Sequence, residues 1–242
     1  MQIIVCENYE EMSQKGAEII AAEVKSNPKA ILGLATGNTP IGIYRYLVEA
    51  YHKGGLDFSE VQTYNLDEYL PIDPADENSY AAFMHDHLWD KVNLKPEHCN
   101  IPAGNVGMEG AAAECAAYDQ RIQAAGGIDL QLLGIGRNGH IGFNEPGDAL
   151  HTGTHAVKLT DSTIAANGPL FANPDDMPRH ALTMGMGAIF AAKKVLLVAN
   201  GKNKHEAVKG LLGDAITTAC PASLLKLHQN LILLCDKEAY HG

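Results

Sequence analysis

Short, mostly apolar runs recur along the chain, separated by longer stretches with helical spacing. The runs Ile3–Cys6, Ile31–Ala35, Val61–Leu66, Asp129–Ile135, His155–Leu159, Val195–Ala199 and Asn230–Cys235 have the length of strands. Helices are expected over Tyr9–Lys25, over a segment opened by Pro40 that carries Ile43, Tyr44, Leu47 and Val48, and over Tyr80–Val92. Further helices are expected over Glu109–Ala124, from Asp161 onward, and over Lys204–Leu212. Pro28 stops the first of them. Strands that are apolar along their length, rather than alternating, suit a sheet buried on both faces. Strand–helix alternation then predicts an α/β fold: a doubly wound, mostly parallel sheet flanked by helices, in a Rossmann-like arrangement. Two polar, proline-bearing stretches, Pro71–Asn78 and Asn167–Pro178, are too short to divide domains. One domain over 1–242 is expected, with a lid segment at about 161–180.

At 242 residues, 46% of them hydrophobic, the chain can build a core without a disulfide or metal staple. Lys and Arg number 18 against 29 Asp and Glu, a formal net charge of −11. That charge argues against nucleic acid as the main partner, but local backbone dipoles and one lysine can still hold a small anion. The five cysteines (Cys6, Cys99, Cys115, Cys220 and Cys235) are odd in number, scattered, and form no C-x-x-C pair. Reduced thiols in a cytoplasmic protein are expected. The start, MQIIVCENYEEM, lacks the basic and apolar regions of a signal peptide. The longest apolar runs fall far short of the ~20 residues a bilayer needs, so no membrane partner is expected.

Ligands of open α/β sheets bind beyond the carboxyl ends of strands, and four such ends carry unusual residues. The first is Ala35-Thr36-Gly37-Asn38-Thr39-Pro40. Its backbone N–H groups, the helix N-terminus behind it and the hydroxyls of Thr36 and Thr39 could hold an anion, although a plain strand–helix turn would read the same way. The second, Asn65-Leu66-Asp67-Glu68-Tyr69, offers two adjacent carboxylates at a strand end, suited to general-base work but equally readable as a helix N-cap or as solvated loop acids. The third is Gly134-Ile135-Gly136-Arg137-Asn138-Gly139-His140, continuing to Glu145-Pro146-Gly147. It matches the dinucleotide fingerprint in letters, but the glycines and Pro146 that follow leave no room for the helix the fingerprint requires. What remains is His140 with Asn138 and Glu145 on one glycine-rich turn: a group that titrates near neutrality beside a carboxylate that can orient it. The spacing points to chemistry without naming the reaction. The fourth is Asn200-Gly201-Lys202-Asn203-Lys204, in which Lys204 is the better placed phosphate partner and Lys202 the more ordinary surface lysine.

Other patterns point to no site. His85 and His87 are two apart and do not share a helix face. Met184-Gly185-Met186-Gly187 reads as close packing between a strand and a helix. No H-E-x-x-H or G-x-S-x-G occurs.

Taken together and in order, LGLATGNTP, NLDEY, Ser79-Tyr80, Phe83-Met84, GIGRNGHIGFNEPG, ALTMG, the Gly201–Lys204 turn and PASLLKLH resemble the glucosamine-6-phosphate deaminase family, in its shorter bacterial form. The resemblance runs over essentially the whole chain. It implies isomerisation and deamination of an amino-sugar phosphate in amino-sugar catabolism, with no metal and no organic cofactor. It further implies that Asp67 moves a proton from sugar carbon 2 to carbon 1. His140 would open the ring, with Glu145 and Asn138 holding that histidine. Thr36, Gly37, Asn38, Thr39 and Lys204 would bind the phosphate. The chain departs from the family in two places: Asn138 stands where many relatives have Asp, and Pro169 stands where the lid usually carries an arginine. Loss of that charge-assisted contact is expected to weaken phosphate binding unless Arg179 or Arg45 compensates. Two other readings remain open: a 6-phosphogluconolactonase-like hydrolase, and a sugar-phosphate sensor without catalysis. The sequence leaves the choice between monomer and homo-oligomer undecided.

Overall fold

The computed structural model describes residues 1–242, apart from the side chains of Ser162, Ala166 and Leu170. Its centre is a parallel sheet of seven strands: β1 (Gln2–Cys6), β2 (Ile31–Leu34), β3 (Gln62–Asn65), β5 (Cys99–Asn100), β6 (Leu130–Gly134), β9 (Lys194–Ala199) and β10 (Leu231–Asp236). They lie in the order β1-β10-β9-β6-β2-β3-β5. The sequences VLLVA of β9 and LILLCD of β10 are buried throughout, as strands covered on both faces must be. Covering them are α1 (Tyr9–Ser26), α2 (Asn38–His52), α3 (Tyr80–His87), α4 (Gly107–Ala124), α6 (Met186–Ala191), α7 (His205–Leu212) and α8 (Lys237–His241). Asn8 caps α1 by accepting from the Glu11 N–H, and Met12, Ile20 and Val24 form its buried face. Among the described residues, no helix is long and apolar enough to cross a membrane.

The mostly parallel, doubly wound arrangement expected from the sequence is present. The apolar pattern did not mark β5, α6 or α8, nor the two strands 67–70 and 180–183. The run Val61–Leu66 ends β3 at Asn65, and after Leu66 the chain enters β4 (Asp67–Leu70). β4 pairs antiparallel with β8 (His180–Thr183), which pairs in turn with β7 (His155–Lys158), giving a separate three-stranded sheet. Leu66 belongs to both sheets: its N–H donates to Leu34 O of β2, and its carbonyl accepts from Met184 N just beyond β8. The expected Tyr80–Val92 helix stops at His87 because Leu88 leaves helical geometry, and a short 3₁₀ turn, Trp89–Lys91, follows. The Lys204–Leu212 helix likewise begins as a 3₁₀ turn, Lys202–Lys204. Met184–Gly187 is close-packed as expected, but against a loop: a Cβ on Gly185 would sit 2.2 Å from the Gly153 carbonyl oxygen.

The chain leaves β2 toward β3 on one side and leaves β6 toward β9 on the other, so the strand order reverses between β2 and β6. A crevice opens at the carboxyl ends of strands at such a point. At the opposite end of the same strands, buried Asp129 accepts from Ile31 N at 2.8 Å, from the Asn27 amide at 3.2 Å and from Lys193 Nζ at 2.7 Å. That carboxylate ties the starts of β2, β6 and β9 together. Replacing Asp129 by Ala leaves the Ile31 N–H buried without an acceptor, at an expected cost of ~1–3 kcal/mol. Urea unfolding should show the loss in midpoint, while turnover stays unchanged because the crevice lies at the far end of the sheet.

Candidate active site

A cavity of about 440 Å³ fills the crevice and is lined by residues 35–40, Leu66, Asp67, Tyr80, residues 134–138, His140, Gly142, Phe143, Thr163, Asn167 and Lys204. The turns after β2, β6 and β9 all contribute. Thr163 and Asn167 come from α5 (Asp161–Asn167), which covers the cavity from the small-sheet side.

The turn after β2 faces the cavity as a helix start. Gly37 has φ +99°, in the left-handed region that side chains disfavour, and begins α2 with no side-chain cap. The N–H groups of Asn38 and Thr39 therefore lack an intrahelical acceptor and remain available to an anion. The Thr39 hydroxyl is not free in the same way, because it donates to Asn200 Oδ1 at 2.7 Å and ties this turn to the one after β9. Lys204 is half-buried, and its Nζ donates to the Ile135 carbonyl at 2.6 Å, leaving two of its three N–H groups unspent. Burial, and then the Arg137 charge, push the Lys204 ammonium below its ordinary pKa. Lys202 is exposed and does not line the cavity.

The two carboxylates of the second motif divide the two roles open to them. Glu68 serves the helix: it accepts from Tyr69 N, Tyr80 N and Ala81 N at 2.8–2.9 Å, satisfying the first turn of α3 while Ser79 caps Ala82. Asp67 faces the cavity, is 7% exposed, and receives no hydrogen bond or ion pair from any described residue. Burial, then the neighbouring Glu68 charge, raise it to about 8.

His140 sits on a tight turn closed by Gly136 N to His140 O at 2.8 Å and Gly139 N to Gly136 O at 3.0 Å. No helix follows it; the next begins at Asp161. A Cβ on Gly136 would lie 2.2 Å from the imidazole, so the ring can occupy this place only over a glycine. Glu145 Oε1 stands 3.2 Å from His140 Nδ1, at ion-pair distance but out of line for a good hydrogen bond. Glu145 stays behind the histidine and does not line the cavity. Asn138 holds Glu145 rather than the ring: its amide donates to Glu145 Oε2 at 2.7 Å, and its oxygen accepts from His140 N at 3.2 Å. Thr163 adds a hydrogen bond to Glu145 Oε1 at 3.3 Å. Burial alone would raise the Glu145 carboxyl, but His140, the Asn138 amide and the Thr163 hydroxyl outweigh it and hold it below its ordinary value. A carboxylate at Nδ1 favours the tautomer with the proton there, so Nε2 can accept a proton and later return it.

All nine residues singled out in the sequence thus gather around one cavity, eight lining it and Glu145 directly behind. The two arginines that could compensate for the missing lid arginine do not. Arg45 pairs with Glu10 at 2.6 Å on the outer surface, and Arg179 lies 3.7 Å from Asp175. Neither lines the cavity. The sequence reading gave no site role to Tyr80 or Asn167, though both lie in stretches it noted, and it did not mark Thr163. Tyr80 stacks on Phe143 (6.4 Å, 6°) and bonds Tyr69, which in turn accepts from the Asn167 amide at 3.0 Å. Only the folded chain brings these segments to the site.

The family model for glucosamine-6-phosphate isomerases/6-phosphogluconolactonase matches residues 7–233. The chain belongs to this family. Within it, proteins named glucosamine-6-phosphate deaminase from Thermoanaerobacter sp. (strain X514) and Clostridium perfringens (strain 13 / Type A) are each 48% identical over 239 residues. The match covers 99% of this chain, and 94% and 98% of theirs. A solved structure of a monomeric glucosamine-6-phosphate deaminase superposes with a TM-score of 0.95 at 45% identity, covering 99% of this chain and 98% of that one. A 6-phosphogluconolactonase from Leishmania guyanensis shares the fold at TM-score 0.77 and 22% identity, covering 100% of this chain and 98% of its own.

The raised Asp67 has a consequence for stability. The folded state holds its proton up to about pH 8, whereas the unfolded chain releases it near the ordinary value of 3.8. Folding stability is therefore lost as pH rises between those values. Asp67→Asn, neutral at every pH, should match the native chain in melting temperature below about pH 4. It should then gain on it steadily up to about pH 8, and hold a constant lead above that.

Proposed function

We propose that the chain converts glucosamine 6-phosphate and water to fructose 6-phosphate and ammonia, with Asp67 and His140 as the proton-transfer groups. The observation that carries this reading is Asp67: a desolvated carboxylate without a partner, in the same cavity as an imidazole backed by a carboxylate and a helix N-terminus beside a lysine. The relatives at 45–48% identity bear the name deaminase, whereas the lactonases share only the fold. A lactonase acts at an ester carbonyl and has no carbon acid for such a base to serve.

The chemistry divides over the cavity. The phosphate is read as lying on the Asn38 and Thr39 N–H groups, with Thr36 beside it and Lys204 opposite. Binding at that remote end positions the reacting carbons. His140 Nε2 takes the proton of the anomeric hydroxyl and supplies one to the ring oxygen, so the ring opens with no net change in charge. Asp67 then removes the proton on carbon 2, whose electron pair forms the carbon 1–carbon 2 double bond as the carbon 1–oxygen π bond opens, and the carbon 1 oxygen takes the proton that the ammonium gives up, leaving an enol with a neutral amine on carbon 2. Returning that proton to carbon 1 moves the double bond to nitrogen. Water adds at carbon 2 of the resulting iminium, and ammonia leaves. An ammonium group on carbon 2 also favours the charged form of Asp67 when substrate enters, readying a base that burial had kept protonated. The segment 161–180 is read as a lid, since α5 contributes Thr163 and Asn167 to the cavity.

Ammonia release and fructose 6-phosphate formation from glucosamine 6-phosphate test the reaction; absence of either from the native enzyme refutes it. Asp67→Asn should lower kcat by about 10²–10⁴ while substrate still binds. Persisting solvent-hydrogen exchange at carbon 2 in that variant would remove Asp67 from the role. Lys204→Ala should raise KM more than it lowers kcat, and an unchanged KM would take Lys204 out of the phosphate site.

A further inference from the structure

The chain has four arginines, and three of them are spoken for. Arg45 pairs with Glu10, Arg121 with Glu114 and Arg179 with Asp175. Arg137 makes no hydrogen bond or ion pair with any described residue, although the protein carries an excess of acids. It lies exposed on the rim of the cavity, on the turn whose Ile135 carbonyl anchors Lys204. Two cations from different turns, Arg137 after β6 and Lys204 after β9, therefore line the same cavity as the open start of α2. Like charges gathered in this way cost energy in the empty protein, and an anion between them repays it. The covering segment offers no such charge: it contributes Thr163 and Asn167 to the lining, Pro169 is exposed, and Arg179 faces Asp175.

We propose that Arg137 is the second cation of the phosphate site, closing on the phosphate from the rim while Lys204 holds it from within. This deepens the reading of the substrate as a sugar phosphate and rests on it. A guanidinium fork can donate to two phosphate oxygens at once, which the Lys204 ammonium cannot do in a single plane. The turn that carries Arg137 is rigid, closed by the two backbone bonds within it and by Ala222 N donating to Gly139 O, so only the side chain need move to engage.

The test compares Arg137→Ala and Arg137→Lys with the native enzyme, using inorganic phosphate, glucosamine 6-phosphate and unphosphorylated glucosamine as probes. Loss of a charge-assisted contact should weaken calorimetric phosphate binding by ~10- to 100-fold in Arg137→Ala and raise KM for the phosphorylated sugar comparably. kcat should change less than KM, kcat/KM on unphosphorylated glucosamine should not change, and the lysine variant should recover part of the loss. Unchanged phosphate affinity and KM in Arg137→Ala would overturn the assignment. So would an equal loss on the unphosphorylated sugar, which would mean that the turn itself had been disturbed. A native enzyme that binds phosphate through Arg137 yet releases no ammonia would overturn the deaminase reading and leave Arg137 in place.

Discussion

A carboxylate held out of water with nothing to pair with is expensive, and this fold is built so that Asp67 cannot escape that position. Leu66, the residue before it, is bonded to β2 through its N–H and to the end of β8 through its carbonyl. Asp67 is itself in register with Thr183 across the antiparallel ladder. The backbone is fixed on both sides, so the side chain must point where the junction of the two sheets sends it: into the crevice at the switch between β2 and β6. A surface carboxylate would be too weak a base for a carbon-bound proton. Raising it to about 8 costs stability and gains basicity, the exchange expected where a protein does chemistry rather than merely folds.

The four acidic and imidazole groups near the cavity are told apart by their partners, not by residue type. Glu68 is as buried as its neighbour but takes three backbone N–H bonds, so it belongs to α3. Glu145 is surrounded by donors and is pushed below its ordinary value, while Asp67 has none and is pushed above. Burial also raises Glu68, to about 7, in spite of its three bonds, so it is the partners rather than the direction of the shift that separate it from Asp67. In the proposed mechanism the Glu145 charge sets the tautomer of His140, and Asp67 is left free to act on carbon. Asn138, though an amide, does not weaken this arrangement, because its task is to hold Glu145 in place.

Much of this was legible before any coordinates. Continuous apolar runs such as VLLVA and LILLC can only be strands inside a covered parallel sheet, and the turns that follow strands in such sheets are where ligands go. That logic found the Thr36–Thr39 turn, Asp67, the Asn138–Glu145 loop and Lys204. What it could not see was the small sheet. β4 follows β3 with a single residue between, so Val61–Leu70 reads as one strand running into a loop. Its partner β8 lies more than a hundred residues away, in a stretch whose apolar run is only four residues long. The contributions of Tyr80, Thr163 and Asn167 were hidden for the same reason: each sits in an unremarkable sequence, and its place at the cavity depends on how the small sheet and its covering segment fold over the crevice. The arginines show the limit most clearly. Sequence position suggested Arg45 and Arg179, yet both are neutralised by carboxylates that only the fold brings near.

A protein with a formal net charge of −11 has to solve a local problem if it is to bind a dianion. The long-range field repels the ligand, but that field is screened within about 10 Å at moderate salt, while the cavity walls keep water away from the charges inside it. On the proposed reading the chain answers with short-range devices: the open N–H groups at the start of α2, a lysine docked on the Ile135 carbonyl, and an arginine that pairs with no acid among the described residues. The other three arginines are matched with carboxylates, and among the described residues the carboxylates nearest the cavity face different duties. On the proposed reading Asp67 serves the amine-bearing carbon, and Glu145 stands beside His140. On that reading the cavity has a cationic part that takes the phosphate and a part with a proton acceptor. A sugar with phosphate on its last carbon and an amine on its second fits that polarity in only one orientation.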